Sequence, residues 1–119
     1  MATTQFINSI NQSVIITDAT TITAIPNSTY YCEASSGVTI TLPSPVDATV
    51  SYTIMVMQAG SSIVTINYTT GQQIRVGPEL STASTGYIAT TSTGDAITLF
   101  TPDGEFFQAA NYIGAITVA

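Results

Sequence analysis

Val38-Thr39-Ile40-Thr41-Leu42 alternates apolar side chains with threonine. An alternation with a period of two puts the apolar side chains on one face of an extended chain and the hydroxyls on the other, which is typical of a half-buried β-strand. Four related phrases occur elsewhere: Thr21-Ile22-Thr23, Val64-Thr65-Ile66, Ala96-Ile97-Thr98-Leu99 and Ala115-Ile116-Thr117-Val118. Their central isoleucines follow one another at unequal intervals of 18, 26, 31 and 19 residues. Unequal intervals favour one meander or sandwich over a solenoid of equal repeats.

The composition predicts the same class of fold. The chain has 119 residues, with 22 threonines, 15 isoleucines and 6 tyrosines but only 3 leucines. These are strand-forming residues, while good helix formers are scarce. We therefore predict an all-β fold, a single antiparallel β-sandwich or jelly-roll-like domain over residues 14–119. An immunoglobulin-like sandwich and a β-prism are the open alternatives.

Turn residues separate the predicted strands. Thr101-Pro102-Asp103-Gly104 has proline at the second position and glycine at the fourth, as in a type I turn. It predicts a hairpin that joins Ala96–Phe100 to Glu105–Gln108. Ala59-Gly60-Ser61-Ser62 predicts a second hairpin between the strands on either side of it.

Residues 1–13 differ from the rest of the chain. Phe6, Ile10 and Val14 lie four residues apart, which is the spacing of one face of a short helix. The intervening asparagines and serines are weak helix formers. An extended N-terminal arm is therefore preferred to a helix.

One predicted strand is apolar on both faces. In Ile54-Met55-Val56-Met57, the isoleucine and valine point to one side and the two methionines to the other. A strand of this kind is buried on both sides. Three covers are open for Met55 and Met57: the middle of a sandwich, the N-terminal arm, or another subunit, because methionine is common both in cores and at adaptable interfaces.

The charge balance excludes several classes of partner. The chain has one cation, Arg75, against seven carboxylates, and its net charge is −6. Binding of nucleic acid through phosphates needs clustered lysine and arginine, and an anionic membrane surface would repel this chain. No apolar run is long enough to span a membrane, and residues 1–10 lack the basic and apolar regions of a signal peptide. We expect neither nucleic acid nor membrane as a partner.

The residue inventory also argues against catalysis. There is no histidine or lysine and only one cysteine, and no glycine-rich phosphate loop is present. Asp103 with Glu105, and Asp95 nearby, form the one acid–base candidate, but turn and surface roles are the preferred explanation of these carboxylates. Cys32 is expected to be inert in the core. Arg75 is expected either to anchor an interface or to lie exposed. We predict that the protein is not an enzyme and has no metal site or cofactor.

Several phrases follow one another in a recognisable order. They are Gly37-Val38-Thr39-Ile40-Thr41-Leu42-Pro43, Ser51-Tyr52-Thr53-Ile54, Val64-Thr65-Ile66, Gly71-Gln72-Gln73-Ile74, and Ala96-Ile97-Thr98-Leu99 with Asp103-Gly104. This order resembles a β-rich domain common in bacteriophage virion proteins, where it occurs in tail-fibre and tail-spike segments and in small head-decoration or head-fibre proteins. Those domains often have a tryptophan shortly after the Asp-Gly turn, where this chain has Phe106-Phe107.

The resemblance implies a structural virion protein, often a homotrimer. The short chain favours a capsid decoration (cement) protein on the outer capsid surface, with the major capsid protein and its own copies as partners. We expect Phe6, Ile7 and Ile10 of the arm to contact the capsid or a neighbouring subunit. Met55 and Met57 are the expected subunit interface. The alternative is a tail-fibre, tail-tip or head-fibre module that binds a host-surface glycan through exposed aromatic side chains.

Overall fold

The computed structural model describes residues 13–44 and 51–119, and within these ranges every regular element is a β-strand. The period-two phrases all lie on strands. The strands are β1 (Ser13–Thr17), β2 (Thr21–Thr23), β3 (Ser28–Cys32), β4 (Val38–Thr41), β5 (Tyr52–Gln58), β6 (Val64–Asn67), β7 (Gln73–Val76), β8 (Glu79–Leu80), β9 (Tyr87–Ala89), β10 (Ala96–Thr101), β11 (Phe106–Ile113) and β12 (Thr117–Val118).

The strands form two sheets that pack against each other around one core. The seven-stranded sheet has the order β1-β3-β5-β10-β11-β7-β8, and the five-stranded sheet has the order β12-β9-β6-β4-β2. Buried apolar residues from both sheets make up a single cluster. The prediction of an all-β fold with a sandwich-like pair of sheets is therefore confirmed.

Residues 13–67 wind through three coils, and each coil contributes one strand to each sheet. β1, β3 and β5 run parallel in the larger sheet, and β2, β4 and β6 run parallel in the smaller one. The register places Ile22 beside Ile40 and Ile40 beside Ile66. For this half of the chain, the prediction of antiparallel pairing is wrong, because the strands of both sheets pair in parallel.

The coils leave no regular interval in the sequence because their connections differ in length. Four residues (24–27) link β2 to β3, whereas ten (42–51) link β4 to β5. Strand register is set by which side chains face the core, so a longer link changes the repeat length without changing the pairing. The predicted hairpin at Ala59-Gly60-Ser61-Ser62 is also wrong, because β5 and β6 belong to different sheets and do not pair.

The second half of the chain closes one end of the coil with antiparallel strands. β10 pairs with β5, and β9 pairs with β6, so that the last coil has no open edge at this end. β10 and β11 form the predicted hairpin around the Thr101–Gly104 turn, where Gly104 has a φ of 83°, a left-handed conformation that favours glycine. At the opposite end of the coil, β1 and β2 are the edge strands of their sheets.

The core is built from the inward faces of both sheets. The rings of Tyr52 and Phe107 meet edge to face, with centroids 6.0 Å apart and an interplanar angle of 67°. Full burial of each large apolar side chain contributes about 1.5–3 kcal/mol to stability. The largest fully buried apolar residues are Tyr30, Ile40, Leu42, Ile54, Ile66, Ile74, Ile88, Ile97, Leu99 and Phe107.

A buried glutamine fixes the turn between β10 and β11. The Gln72 Nε2 donates hydrogen bonds to the carbonyl oxygens of Pro43 (2.7 Å) and Gly104 (2.9 Å). Its Oε1 accepts one from the Thr69 backbone N–H at 2.8 Å. Because a buried amide is costly unless its hydrogen bonds are made, these three partners hold Gln72, and with it the turn, in one position.

Candidate interaction surface

The two methionines singled out in the sequence lie on the outward face of the larger sheet. Along β5, the side chains of Tyr52, Ile54 and Val56 face the core and are buried. Met55 and Met57 alternate with them, face outward and are partly exposed. The smaller sheet therefore does not cover the methionines. Of the three possible covers for Met55 and Met57, this excludes the middle of a sandwich.

The register extends the methionine face into an apolar row across five strands. Ile16 on β1, Tyr31 on β3 and Met57 on β5 are direct neighbours, and Ala96 on β10 and Ile113 on β11 continue the line. Ile16 and Ile113 expose 66% and 65% of their surface. We call these five residues the apolar row. The sequence carried a signal for it at Val14-Ile15-Ile16, since three successive apolar residues must put one on each face of a strand.

No charge interrupts the apolar row. The strands β1, β3, β5, β10 and β11 contain no Asp, Glu, Lys or Arg. Val14, exposed to 66%, adds a further aliphatic side chain beside Ile16 at the sheet edge. Within the row Ala96 is only 2% exposed, so its exposed members are Ile16, Tyr31, Met57 and Ile113. Exposed apolar side chains grouped on one face typically mark an interaction site.

An aromatic groove lies on the same face, near the β10–β11 turn. It has a volume of about 390 Å³. The register shifts between Thr98 and Leu99, where β11 accommodates one extra residue. Such bulges redirect side chains and locally increase strand twist. The groove is lined by Phe100, Pro102, Phe106, Gln108, Ala109 and Ala110.

The only cation of the chain lies next to this groove. Arg75 alternates with the buried Ile74 and Val76 and so faces outward on β7, where its neighbour in the register is Gln108. In the part of the chain that the structure describes, the guanidinium forms no ion pair. Arg75 is thus a partly buried charge at the rim of an apolar groove.

Two carboxylates lie at the opposite corner of the sheet. Asp18 and Glu33 follow the last residues of β1 and β3 directly, and both are exposed. The Glu33 backbone N–H donates a hydrogen bond to the Thr17 carbonyl at 2.8 Å, which keeps the two strand ends together. We call Asp18 and Glu33 the acidic corner.

The outward face of the smaller sheet has a different character. Thr21, Thr39 and Thr65 are neighbours across β2, β4 and β6, and Thr23, Thr41 and Asn67 form a second line beside them. Hydroxyls and an amide therefore cover this side, as expected for a face in contact with water. The outward face of the smaller sheet therefore serves as a control surface for substitutions on the apolar face of the larger sheet.

Two of the three carboxylates considered for catalysis, Asp95 and Asp103, have structural roles. The Asp103 Oδ1 accepts hydrogen bonds from the backbone N–H groups of Glu105 (2.9 Å) and Phe106 (3.2 Å), which lower the pKa of its carboxyl group. Asp95 precedes β10 whereas Asp103 follows it, so the six residues of the strand separate them by about 20 Å. The expectation that Asp95 lies close to this pair is wrong.

Asp95 caps the turn before β10. Burial acts to raise the pKa of its carboxyl group, but hydrogen bonds from Thr91 and Ser92 outweigh it and leave the pKa lowered. Its Oδ2 accepts from the backbone N–H groups of Thr91 (2.9 Å) and Ser92 (3.1 Å). A carboxylate bound in this way stabilises its turn.

Cys32 lies in the core, exposed to 1%. Burial raises the pKa of its thiol to about 11, so the thiolate is scarce at neutral pH and the side chain serves as an apolar filler. Within residues 13–44 and 51–119, no cluster of three or more His, Cys, Asp or Glu side chains is placed to hold a metal ion. The same residues contain no helix that is long and apolar enough to cross a bilayer.

Phe6, Ile7 and Ile10, the predicted contacts of the arm, lie outside the described residues. Comparison with known proteins finds no family model that matches the chain, and no curated protein matches it at a significant level. The likeness to phage virion domains thus stays a prediction.

Proposed function

We propose that this protein is a bacteriophage capsid decoration (cement) protein that assembles as a homotrimer through the outward face of its larger sheet. The observation that carries the proposal is the apolar row, which crosses five strands that lack any charged residue. Self-association would remove this surface from water at a gain of about 25 cal/mol for each Å² of apolar area. Met55 and Met57 belong to the proposed subunit interface.

On the virion, the trimer would bind the outer capsid surface and bridge copies of the major capsid protein. A ligand that binds only the assembled shell stabilises it by mass action. The low content of lysine and arginine suits an exposed position, because it leaves few sites for trypsin-like proteases. The predicted arm contacts at Phe6, Ile7 and Ile10 would add capsid contacts beyond those of the folded domain.

The aromatic groove favours a second candidate. A tail-fibre, tail-tip or head-fibre module that binds a host glycan needs exposed aromatic rings in a depression, and Phe100 and Phe106 line one. Copy number separates the two candidates. Quantitative mass spectrometry of purified virions is expected to find this protein at a number comparable to that of the major capsid protein; a small number typical of tail components would favour the module.

The self-association step has its own test in the isolated protein. Met57→Asp puts a charge in the middle of the apolar row, and we expect the trimer to dissociate because the buried charge has no partner. Thr39→Asp puts the same charge on the hydroxyl face of the smaller sheet and should leave the mass unchanged. Light scattering coupled to size-exclusion chromatography measures both. A monomeric wild-type protein, or a trimeric Met57→Asp variant, would contradict the proposal.

A further inference from the structure

Arg75 lacks a described partner in its own chain, and the acidic corner lies too far away to supply one. Five strand spacings, about 24 Å, separate β7 from β1. Arg75 also lies at a different height along the strands. Its neighbours across the sheet are Gln108, Phe100 and Thr53 in turn, and Thr53 is four residues from Met57 on β5. The acidic corner is therefore beyond the reach of Arg75 in the same molecule.

The two corners complement each other in charge and shape. At the first corner, the exposed aliphatic side chains of Val14 and Ile16 precede Asp18 along the chain, and the exposed residues Asp18 and Glu33 follow the ends of β1 and β3. At the second, the aromatic groove lies beside Arg75. One corner thus offers apolar side chains with an acid next to them, and the other offers an apolar depression with a base next to it.

We propose that the first corner of one copy seats in the second corner of the next copy, with Val14 and Ile16 entering the aromatic groove and Arg75 pairing with Asp18 or Glu33. This inference rests on the proposed self-association and names the residues that meet. Because different surfaces of the two copies touch, the contact is heterologous, and a heterologous contact that closes forms a ring such as a trimer. An arginine beside an apolar contact pairs well with carboxylates, since its planar guanidinium binds them in a bidentate manner.

Charge reversal tests the pair in the full-length protein. Arg75→Glu is expected to weaken assembly about tenfold or more, because it sets like charges against each other in a partly desolvated contact. Adding Glu33→Arg to Arg75→Glu is expected to restore assembly. Adding Thr21→Arg and Thr65→Arg instead gives the same net charge on the outward face of the smaller sheet, away from both corners, and should restore nothing. Circular dichroism and thermal melting of each variant check that the fold is retained.

Disulfide trapping tests the seating directly. A mixture of one variant with Ile16→Cys and another with Ala110→Cys is expected to form a covalent heterodimer under mild oxidation. A mixture of Thr39→Cys with Ala110→Cys should not, and the buried Cys32 is too protected to compete. Asp47 lies outside the described residues and is the remaining acid that Arg75 could meet within its chain, so Asp47→Asn should leave assembly unchanged.

The outcomes separate this contact from the proposed function. An assembled wild type with an equally assembled Arg75→Glu variant and no heterodimer would overturn the contact and leave self-association intact. A wild type that is monomeric at all concentrations would overturn both. Saturable binding of a soluble saccharide to the assembled protein, abolished by Phe100→Ala, would show the groove to be open in the assembly and would also overturn the contact.

Discussion

At the scale of single residues, two carboxylates make the stability of the domain sensitive to acid. The pKa values of Asp95 and Asp103 in the folded protein lie below the ordinary value of 3.8. The contribution of these two carboxylates to the free energy of unfolding is therefore complete above pH 3.8. It is lost as the pH falls through their folded-state pKa values. We expect the melting temperature to fall as the pH drops below about 4, and Asp95→Asn to lower it at pH 7 and to weaken its dependence on acid. An unchanged acid dependence in Asp95→Asn would contradict this account.

Single residues also show how far the sequence predicts the surface. Met55 and Met57 were placed on one face by alternation alone, and the structure puts them there. The partners of Met57 in the apolar row could not be predicted, because Ile16 and Ile113 become its neighbours only through pairing across five strands. Alternation fixes the side of a strand on which a residue lies, but not which strand lies next to it.

At the scale of elements, the crossover from β5 to β6 depends on a close approach of two backbones. The Gly60 backbone N–H donates to the Cys32 carbonyl at 2.9 Å, and a methyl group at Gly60 would lie 2.6 Å from the Glu33 carbonyl oxygen. Gly60→Ala should therefore destabilise the fold by about 1–3 kcal/mol. Gly37→Ala is the matched control, because a methyl group there meets nothing within 4 Å. Urea unfolding measures both, and equal effects would show that the crossover tolerates the methyl group.

The elements themselves were predictable, but their pairing was not. Period-two alternation located the strands around Ile22, Ile40 and Ile66, and the turn chemistry of Thr101–Gly104 gave the hairpin. Parallel pairing leaves no comparable local signal, because the strands that pair are separated by a whole coil rather than by a turn. The one-coil connections here also differ in length, which removed the regular interval that reveals most solenoids.

At the scale of the whole molecule, one end of the coil is closed and the other presents open edges. β10 and β9 cover β5 and β6, whereas β1 and β2 have no further strand beside them among the described residues. The remaining edges of the two sheets, β8 and β12, are only two residues long, which limits their use as templates for another strand. Contacts with other chains are therefore expected to concentrate at the β1 side and on the outward face of the larger sheet.

The N-terminal arm and the folded domain are predicted to have separate roles, capsid binding for the arm and a stable fold for the domain. Among the described residues, the buried core cluster lies between Ala24 and Phe107, so both sheets supply one another with a core. A variant that lacks residues 1–10 is expected to fold, with β-sheet circular dichroism and a cooperative melt like those of the full chain. The same variant should lose capsid binding in a co-sedimentation assay with undecorated capsids, because Phe6, Ile7 and Ile10 are removed.

The variant Phe6→Ser/Ile10→Ser keeps the chain length and should bind as weakly as the deletion. Normal decoration by the folded deletion variant would place the capsid contact on the domain itself.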